Sequence, residues 1–527
     1  MPGQTTIRSR RCHLPLARLA AAGALAVGLA SPALHAESLQ RKVSNALAAA
    51  RLGTAHVGVS ILDCSTGREL VDLTAGSPKR GNDSDDNAEG FIPASNLKLF
   101  TSGAAFLVLG KDFEFQTKLI ADGDRLIVLG AGDPAFAEPV LLDQMRMGVD
   151  QFVDRLVESA KAAGIASIRE IVTDDRVFDR QYVHPDWPRE QLNRSYCAEV
   201  SGLNFHANVL NVYVTPGASV GAVAGARTEP SGSWITMRRI ARTVKEGSTQ
   251  VWVEREPAGS DGDPFTFKLH GTVRSALSEP ISVTVDQPGL MFAKVLADRA
   301  AKAGLGVDNA PIAARLVADD ETLSTDPGAQ KLLTVVRTPI SVALERCNVD
   351  SENLYAESFC KLLGHTVTGQ PGTWASGTAV VRMKVKDTVG AEAASQLVLA
   401  DGSGLSRNNR ITPGAMTRWL RVLAGSPDGQ VFVDSLALAG AEGTLKKRFK
   451  GAKLHNEVRA KSGYIRGVRT LSGLVTDPAG KRIAFSVLVD NIPGGADAKA
   501  KEFHEAVVEA VDAYLFENGK VAGAADR

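Results

Sequence analysis

The order of hydrophobic and polar positions along the chain predicts a mixture of helices and strands. Close to the start, SLQRKVSNALAAARLG has apolar residues at the spacing of an amphipathic helix. The next stretch, AHVGVSILDCSTGRELVDLTA, has the pattern of two strands joined by a turn at Ser65-Thr66-Gly67. A helix followed by a strand hairpin is therefore expected here.

The region from residue 114 to residue 330 is rich in turns and strand patterns. It opens with FEFQTKLIADGDRLIVLGAGDP, the pattern of a hairpin, and helices are predicted near residues 139–164. Later strands are predicted at VLNVYVT, SWITMRRIA and TQVWVERE, and a strand with a helix at PISVTVDQPGLMFAKVLADRAAKAGLG. We expect this region to be rich in β-structure.

Helical patterns return from about residue 331, in TPISVALERC and then NLYAESFCKLL. Further on, RTLSGLVTDPAGKRIAFSVLVDNI has the pattern of strand, turn and strand, and KAKEFHEAVVEAVDAYLFENG that of an amphipathic helix. The polar face of this last helix is acidic, which argues against docking on an anionic membrane. No repeat of fixed period is present, which argues against a solenoid or a propeller.

Length and charge narrow the classes of protein that fit the chain. Its 527 residues are enough for more than one hydrophobic core. Its net charge of +1 gives no support for a nucleic-acid partner, which usually requires a basic patch or domain. The sequence has no signal for an oligomeric state.

The N-terminus has the features of an export signal. Four arginines up to Arg18 precede the apolar run LAAAGALAVGLA, which is too short to span a membrane as a mature helix. We predict a signal peptide over residues 1–36, cleaved after Ala36, and an exported, periplasmic protein. SRRCHL partly matches a twin-arginine signal, but His13 favours the general secretory route. No other apolar stretch is long enough for a transmembrane anchor.

Four cysteines remain after Cys12 is removed with the signal: Cys64, Cys197, Cys347 and Cys360. Export permits disulfides, so a bridge (Cys347–Cys360 or Cys64–Cys197) and four free thiols both stay open. No C-x-x-C, H-E-x-x-H or clustered His/Cys spacing is present. We therefore expect neither a metal nor another cofactor.

A serine and a lysine one helical turn apart provide candidate chemistry in FIPASNLKLFTSGAAFLVLG, at Ser95 and Lys98. A serine hydroxyl is a weak nucleophile unless a neighbouring base takes its proton. A lysine can be that base when burial, a helix start or a second cation lowers its pKa. The chain contains the same spacing again at Ser358 and Lys361, but inside a helical pattern, so we interpret the second pair as structural.

Two triplets extend the first pair, Ser351-Glu352-Asn353 and Lys461-Ser462-Gly463. Ser-x-x-Lys, Ser-Asp-Asn and Lys-Thr-Gly together are typical of penicillin-binding proteins and class A β-lactamases. This chain departs from that set at Glu352 and at Ser462, which keeps the hydroxyl. Each triplet alone would be an ordinary helix cap or a solvated strand lysine, so the set matters only as a whole.

The chain resembles the class C low-molecular-mass penicillin-binding proteins, the D-alanyl-D-alanine carboxypeptidase/endopeptidase group of penicillin-binding protein 4 type. The resemblance rests on PASNLKLFTSGAAFLVLG, LGAGDP, HPDWP, VSGLNFHANVLNVYVTPG, SENLYAE, DGSGLSRNN, GTLKKR and KSGYIRGVRTLSGLV, which follow the family's order. It implies an α/β (α+β) serine-transpeptidase/β-lactamase-like catalytic domain with an antiparallel sheet flanked by helices. It also implies two nested, mostly β inserted domains.

The spacing of the motifs agrees with such an insertion. Between Ser95 and Ser351 lie far more residues than one loop of a compact domain can hold. We predict a catalytic domain formed by residues 37–114 and 331–527, with residues 115–330 inserted as a second domain that contains a third. If the two flanks lie close together, the insert could be separable from a folded core.

The resemblance also implies roles for the motif residues. Ser95 would be the nucleophile, Lys98 its base, and Ser351 the relay of a proton to the leaving amine. Asn353 would hold the substrate amide or the lysine. Lys461 and Ser462 would bind the terminal carboxylate, and Gly463, the next residue of the same strand, would also belong to the substrate-binding site.

Two more residues, Tyr464 and Arg407, are expected to border the substrate. Tyr464 stands where the family usually has a small residue; its N–H, with that of Ser95, would form the oxyanion hole, and its ring would narrow the cleft. For Arg407, contact with an acidic peptide branch and a structural ion pair both stay open.

The implied activity is hydrolysis of peptidoglycan peptides through an acyl-enzyme, with β-lactam antibiotics as covalent inhibitors. The alternatives are a β-lactamase or esterase on the same fold, and a non-catalytic cell-wall binding protein. No glutamate between the second and third motifs indicates the water-activating base that a fast lactamase needs, and the intact motifs argue against a binding protein.

Overall fold

The computed structural model describes residues 32–77, 90–256, 264–323 and 330–525. Most of the predicted signal peptide, residues 1–31, lies outside this part. The helices are α1 Pro32–Ala50, α2 Lys98–Leu109, α3 Pro139–Gln144, α4 Val149–Ala162, α5 Pro288–Lys302, α6 Ile340–Asn348, α7 Asn353–Thr368, α8 Trp374–Thr388, α9 Ala391–Ser395, α10 Pro413–Gly425, α11 Gly429–Asp434 and α12 Asp497–Ala525. The strands are β1 His56–Asp63, β2 Glu69–Ala75, β3 Glu114–Asp122, β4 Arg125–Leu129, β5 Glu170–Asp174, β6 Val209–Thr215, β7 Gly225–Glu229, β8 Thr236–Arg239, β9 Arg242–Thr243, β10 Gln250–Arg255, β11 Thr266–Val273, β12 Ile281–Thr284, β13 Ala313–Leu316, β14 Gln330–Pro339, β15 Ala437–Leu438, β16 Glu457–Ile465, β17 Val468–Thr476 and β18 Arg482–Asp490.

A six-stranded antiparallel sheet joins the two ends of the chain in the order β15-β16-β17-β18-β1-β2. Alternate residues of its strands face two different cores, as the period of a strand requires. One face, with Val59 and Val487, packs on α1 and α12, while the other, with Leu488, packs on α2, α7 and α10. The predicted antiparallel sheet flanked by helices is confirmed.

A second sheet contains the strands through which the chain leaves this body and returns to it. Its order is β13-β5-β4-β3-β14, and β3 pairs with β14 so that Glu114 lies opposite Pro339. The segment after α2 and the segment before α6 therefore lie side by side. The helical pattern predicted from about residue 331 is wrong for its first part, because the β-branched run Thr334-Val335-Val336 favours a strand and the helix begins only at Ile340.

Two smaller sheets are nested between β5 and α5. One has the order β12-β6-β7, and the other has β10-β11-β8 with β9 also paired to β11. Phe267 and Leu269 of β11 belong to the same core as Phe292 of α5. The predicted strand at SWITMRRIA is reduced to β8, and the short β9 follows it, whereas β7 and β11 were not predicted.

Two further features bear on the sequence-based expectations. Cys64, Cys197, Cys347 and Cys360 are all free thiols, so neither considered bridge is present. Among the helices that the structure describes, none is both long and apolar enough to cross a membrane.

Candidate active site

The Ser95 hydroxyl lies at the start of a helix, where a tight turn presents it to a cleft. Ala94 has a left-handed backbone with φ of +45°, and a short 3-10 helix, Ala94–Leu97, leads directly into α2. Lys98 follows one turn later, and its Nζ atom is 3.0 Å from the Ser95 Oγ atom. The structure thus brings the two predicted residues into hydrogen-bond contact.

The Lys98 amine is fully buried, and that burial lowers its pKa. Besides Ser95, its Nζ atom contacts the Asn353 Oδ1 atom at 2.7 Å and the backbone carbonyl oxygen of Ser403 at 3.1 Å. A neutral amine has two N–H groups and one lone pair. If the N–H groups donate to the two carbonyl oxygens, the lone pair faces the Ser95 hydroxyl, which is the arrangement that a general base requires.

Ser351 and Asn353 approach this pair from the start of α7. Ser351 has a left-handed φ of +68° and lines the same cleft as Ser95. Asn353 is the first residue of α7; its Oδ1 atom accepts from Lys98, and its Nδ2 atom donates to the Tyr196 carbonyl at 2.8 Å. Of the two roles considered for Asn353, contact with the lysine is present in the structure.

Glu352, the residue that departs from the usual triplet, turns away from the cleft. Its carboxylate is 3.8 Å from the Arg346 guanidinium and lines a separate cavity behind α7. Its side chain is therefore not placed to contact the reacting groups.

Lys461 is fully buried in β16, beside the serine and lysine. Its Nζ atom donates to the Ser462 carbonyl at 2.9 Å. Burial, and next the charge of Lys98, keep the pKa of Lys461 well below its usual value. The two lysines are thus close enough to influence each other.

Gly463 allows β16 to pass directly beside the nucleophile. A Cβ atom at this position would lie 2.1 Å from the Thr470 Oγ1 atom and 3.0 Å from the Ser95 amide nitrogen. Thr470 donates to the Pro93 carbonyl at 2.8 Å, and Asn96 donates to the Lys461 carbonyl at 2.7 Å. The absence of a side chain and these two bonds hold the turn of Ser95 against the strand.

Tyr464 and Arg407 lie at the rim of the cleft. The Tyr464 ring is 54% exposed and stacks on the Arg469 guanidinium at 3.7 Å. Arg407 donates to the Arg466 carbonyl at 3.0 Å, and it forms no ion pair with any carboxylate in the described ranges. A structural ion pair, one of the two interpretations of Arg407, is therefore not found within the part of the chain that the structure describes.

The cleft has a volume of about 810 Å³, and the inserted region forms one of its walls. No site residue in that wall was predicted from the sequence. The residues that it contributes are Asp186, Pro188, Glu190, Gln191 and Tyr196. The turn-rich segment HPDWPRE, which contains three of them, was the signal that could have indicated it.

The side chains of the second serine–lysine pair, Ser358 and Lys361, make buried contacts between parts of the fold. The Lys361 Nζ atom donates to the Asp179 carboxylate at 2.6 Å and to the Gln181 carbonyl at 2.7 Å. The Ser358 hydroxyl accepts a hydrogen bond from the Asn204 amide at 3.3 Å. Both side chains are fully buried, and they join α7 to the inserted region rather than facing the cleft.

Comparison with known proteins gives consistent matches over nearly the whole chain. A profile of the D-Ala-D-Ala carboxypeptidase 3 (S13) family matches residues 39–514. A D-alanyl-D-alanine carboxypeptidase from an Actinomadura strain is 30% identical, over 92% of this chain and 86% of that protein.

Solved structures have the same fold. The crystal structure of penicillin-binding protein 4 (dacB) from Haemophilus influenzae is 20% identical, covers 90% of this chain and 99% of that one, and superposes with a TM-score of 0.68. The same protein complexed with a β-lactam is also 20% identical, covers 91% of this chain and 99% of that one, and superposes with a TM-score of 0.64. Because the sequences are only 20% identical, these structural matches establish the fold alone, and it is the fold class predicted from the sequence.

Proposed function

The chain belongs to the D-Ala-D-Ala carboxypeptidase 3 (S13) family and is a serine-type peptidase, and we propose how its cleft performs the reaction. Ser95 is the nucleophile, and Lys98 is the base that activates it. The observation that carries this proposal is the 3.0 Å contact between Lys98 Nζ and Ser95 Oγ, made by an amine whose pKa is lowered by burial.

Acylation proceeds in two steps. The Ser95 Oγ atom bonds to the carbonyl carbon of the penultimate D-alanine while its proton passes to Lys98. The oxyanion that forms is stabilised by the N–H groups of Ser95 and Tyr464, each such donor typically contributing about 3–4 kcal/mol. The carbon–nitrogen bond then breaks, and Ser351 relays the proton from Lys98 to the departing D-alanine amine.

Deacylation returns the enzyme to its starting state. Water attacks the ester carbonyl carbon, its proton passes to Lys98, and the bond between that carbon and Ser95 Oγ breaks as the oxygen regains a proton. The peptide leaves with a new carboxyl group. When the departing amine belongs to a cross-linking peptide instead of free D-alanine, the same steps give endopeptidase cleavage.

The residues that recognise the substrate lie on β16 and at the rim of the cleft. Lys461 and Ser462 bind the terminal carboxylate beside β16. Arg407 has no carboxylate partner among the described residues, which supports contact with an acidic group of the stem peptide. Across the cleft, Asp186 and Glu190 provide negative charge that fits an amino group of the same peptide.

We further propose that β-lactam antibiotics acylate Ser95 and that the protein is exported to the periplasm after cleavage at Ala36. Substrate and inhibitor share an amide that the serine opens, so the same cleft accepts both. Cell-wall peptides are found outside the cytoplasmic membrane, which agrees with the signal-like residues 1–36.

The domain division is also a proposal, with one boundary moved. We assign residues 37–114 and 340–527 to the catalytic domain, because β14 ends at Pro339 and pairs with β3 throughout its length. The third domain comprises the two nested sheets, whose strands lie within residues 209–255 and 266–284.

The proposal is tested by incubating the purified protein with defined muropeptides and weighing the products. We expect loss of one D-alanine from pentapeptides, and no product from the Ser95→Ala variant. Products lacking any D-alanine loss or cross-link cleavage would contradict the assigned reaction. Nitrocefin separates it from a lactamase, because a peptidase consumes about one equivalent slowly, whereas a lactamase turns over rapidly.

A further inference from the structure

One acceptor of the Lys98 amine is a backbone carbonyl on a loop that begins the family-like stretch DGSGLSRNN, for which the sequence predicted no contact with the lysine. This loop, residues 401–404, has the sequence Asp-Gly-Ser-Gly. Its Ser403 carbonyl is 3.1 Å from the Lys98 Nζ atom. The orientation of the base therefore depends on what holds this loop in place.

The Glu357 carboxylate holds the loop by two successive N–H groups. Its Oε1 atom accepts from the Ser403 N–H at 2.8 Å, and its Oε2 atom accepts from the Gly402 N–H at 2.8 Å. The Trp374 indole donates to the same Oε2 atom at 2.7 Å. Glu357 is fully buried, so water does not substitute for these bonds.

The loop is held from the opposite side by α2. Thr101, three residues after Lys98, donates to the Gly402 carbonyl at 2.7 Å. A Cβ atom at position 402 would lie 2.6 Å from the Ala356 carbonyl oxygen, so only glycine allows the loop to pack this closely on α7. The peptide groups of residues 402 and 403 are thus fixed between two helices.

The positions of both carbonyl oxygens that accept from Lys98 therefore depend on α7. Asn353 supplies one directly, and Glu357, one turn later on the same helix, fixes the other through Ser403. A neutral lysine amine rotates freely about its last bond unless its two N–H groups have fixed acceptors. With both acceptors in place, the lone pair can point only towards Ser95.

We infer that Glu357 is a positioning residue for acylation, which orients the Lys98 amine by holding the Ser403 carbonyl. This inference rests on the proposed role of Lys98 as the base. Glu357 touches neither substrate nor reacting atoms; it acts through the loop.

The carboxylate accepts three hydrogen bonds and donates none, which suits its ionised form. Burial and then the charge of Asp401 raise the pKa of Glu357 to about 7, while the three hydrogen bonds lower it. The other titratable groups that interact with it are Lys98 on α2, Cys347 on α6, and Cys360 and Lys361 on α7.

The test is Glu357→Gln, measured above neutral pH by the rate at which a fluorescent penicillin acylates the full-length protein. Oε2 has two donors to satisfy, so the amide oxygen takes its place and the NH₂ group faces the Ser403 N–H. Two donors then oppose each other at the residue that orients Lys98. We expect acylation to slow by about 10²-fold, the effect typical of small displacements in an active site. Ser358→Ala, the next buried residue of α7, is the control and should acylate like the wild type.

A pH profile separates positioning from a general loss of structure. In the wild type, acid protonates both Lys98 and Glu357, and the negative charge of Glu357 raises the pKa of Lys98. The Gln variant lacks that charge and that protonation, so its acid limb should move to lower pH. A limb shifted in this way shows that the site around Lys98 is still formed, so a plateau rate that stays low above the limb is due to lost positioning. A plateau equal to that of the wild type would mean that Glu357 acts only through its charge, and would overturn the inference.

Two results would overturn the inference: a folded Gln variant that acylates within about threefold of the wild type, or an equal loss in the Ser358→Ala control. If the Gln variant does not fold, Glu357→Asp decides, since it keeps the charge but withdraws the carboxylate from the loop. We expect slowed acylation, and a wild-type rate would refute the inference. Failure of the wild type itself to label at Ser95 would instead refute the proposed function.

Discussion

The Lys98 side chain is fully buried and its amine has three hydrogen-bond partners beside the cleft, so its removal should affect chemistry before it affects shape. In Lys98→Ala the Ser95 hydroxyl keeps its position at the start of α2 but loses the group that accepts its proton. We expect penicillin acylation to fall by about 10²–10⁴-fold. The measurement is the labelling rate, with circular dichroism as the check that the variant is folded. Acylation within a few-fold of the wild type would assign the base to another group.

At the scale of residues, the sequence predicted the parts of the site that lie in motifs, Ser95 and Lys98 from their local spacing and the distant Asn353 and Lys461 from the family's motif set. Ser95 and Lys98 are one turn apart, so helix geometry alone brings them together. Glu357 and Ser403 were not predicted because their contact joins a helix to a distant loop. Tyr196 was missed for the same reason, since its carbonyl reaches Asn353 only through the folding of the inserted region.

At the scale of elements, the passage of β16 beside Ser95 depends on the missing side chain at position 463. In Gly463→Ala, a Cβ atom 2.1 Å from the Thr470 Oγ1 atom must push the strand or the threonine aside. The Thr470 bond to Pro93 is then strained, and the turn of Ser95 moves. We expect a loss of about 10²-fold in acylation, with about 1–3 kcal/mol less stability from overpacking.

Gly425→Ala provides the matched control for this variant. Gly425 ends α10, has no unusual backbone angle, and has open space where a Cβ atom would be placed. The same glycine-to-alanine change there should leave acylation unchanged. Equal losses in the two variants would show that close approach at β16 is not what the site requires.

Elements with a clear local period were predicted, and those without one were not. The final strand pair and the last helix appear as β17, β18 and α12, because turn residues and amphipathic spacing mark them. Strand β14 was assigned to a helical region, since its apolar residues are clustered rather than alternating and its partner β3 is distant in the chain. Strand pairing between such distant segments cannot be recognised from the order of apolar and polar residues within one of them.

At the scale of the whole molecule, the inserted region takes part in the catalytic core instead of only standing beside it. Its Asp179 and Gln181 satisfy the buried Lys361 amine, and its Glu138 pairs with the buried Arg346 at 2.9 Å. The close flanks at β3 and β14 had suggested that the insert could be removed with a short linker. These buried contacts argue otherwise.

We predict that replacing residues 115–339 with a short linker prevents the core from folding. Removing one partner of a buried ion pair commonly costs about 3–5 kcal/mol, and here two buried cations lose partners. The measurement is the unfolding transition and penicillin labelling of the excised chain. A cooperatively folded core that still labels would show that these contacts are dispensable.

The central claim, that Ser95 is the nucleophile of this cleft, is tested most directly by mapping the covalent penicillin adduct by peptide mass spectrometry. The chain provides its own control, because Ser358 has the same spacing to Lys361 but is fully buried on α7. We predict one adduct per chain, on the peptide that contains Ser95, and none on the peptide that contains Ser358. An adduct on Ser358, or on neither peptide, would contradict the account.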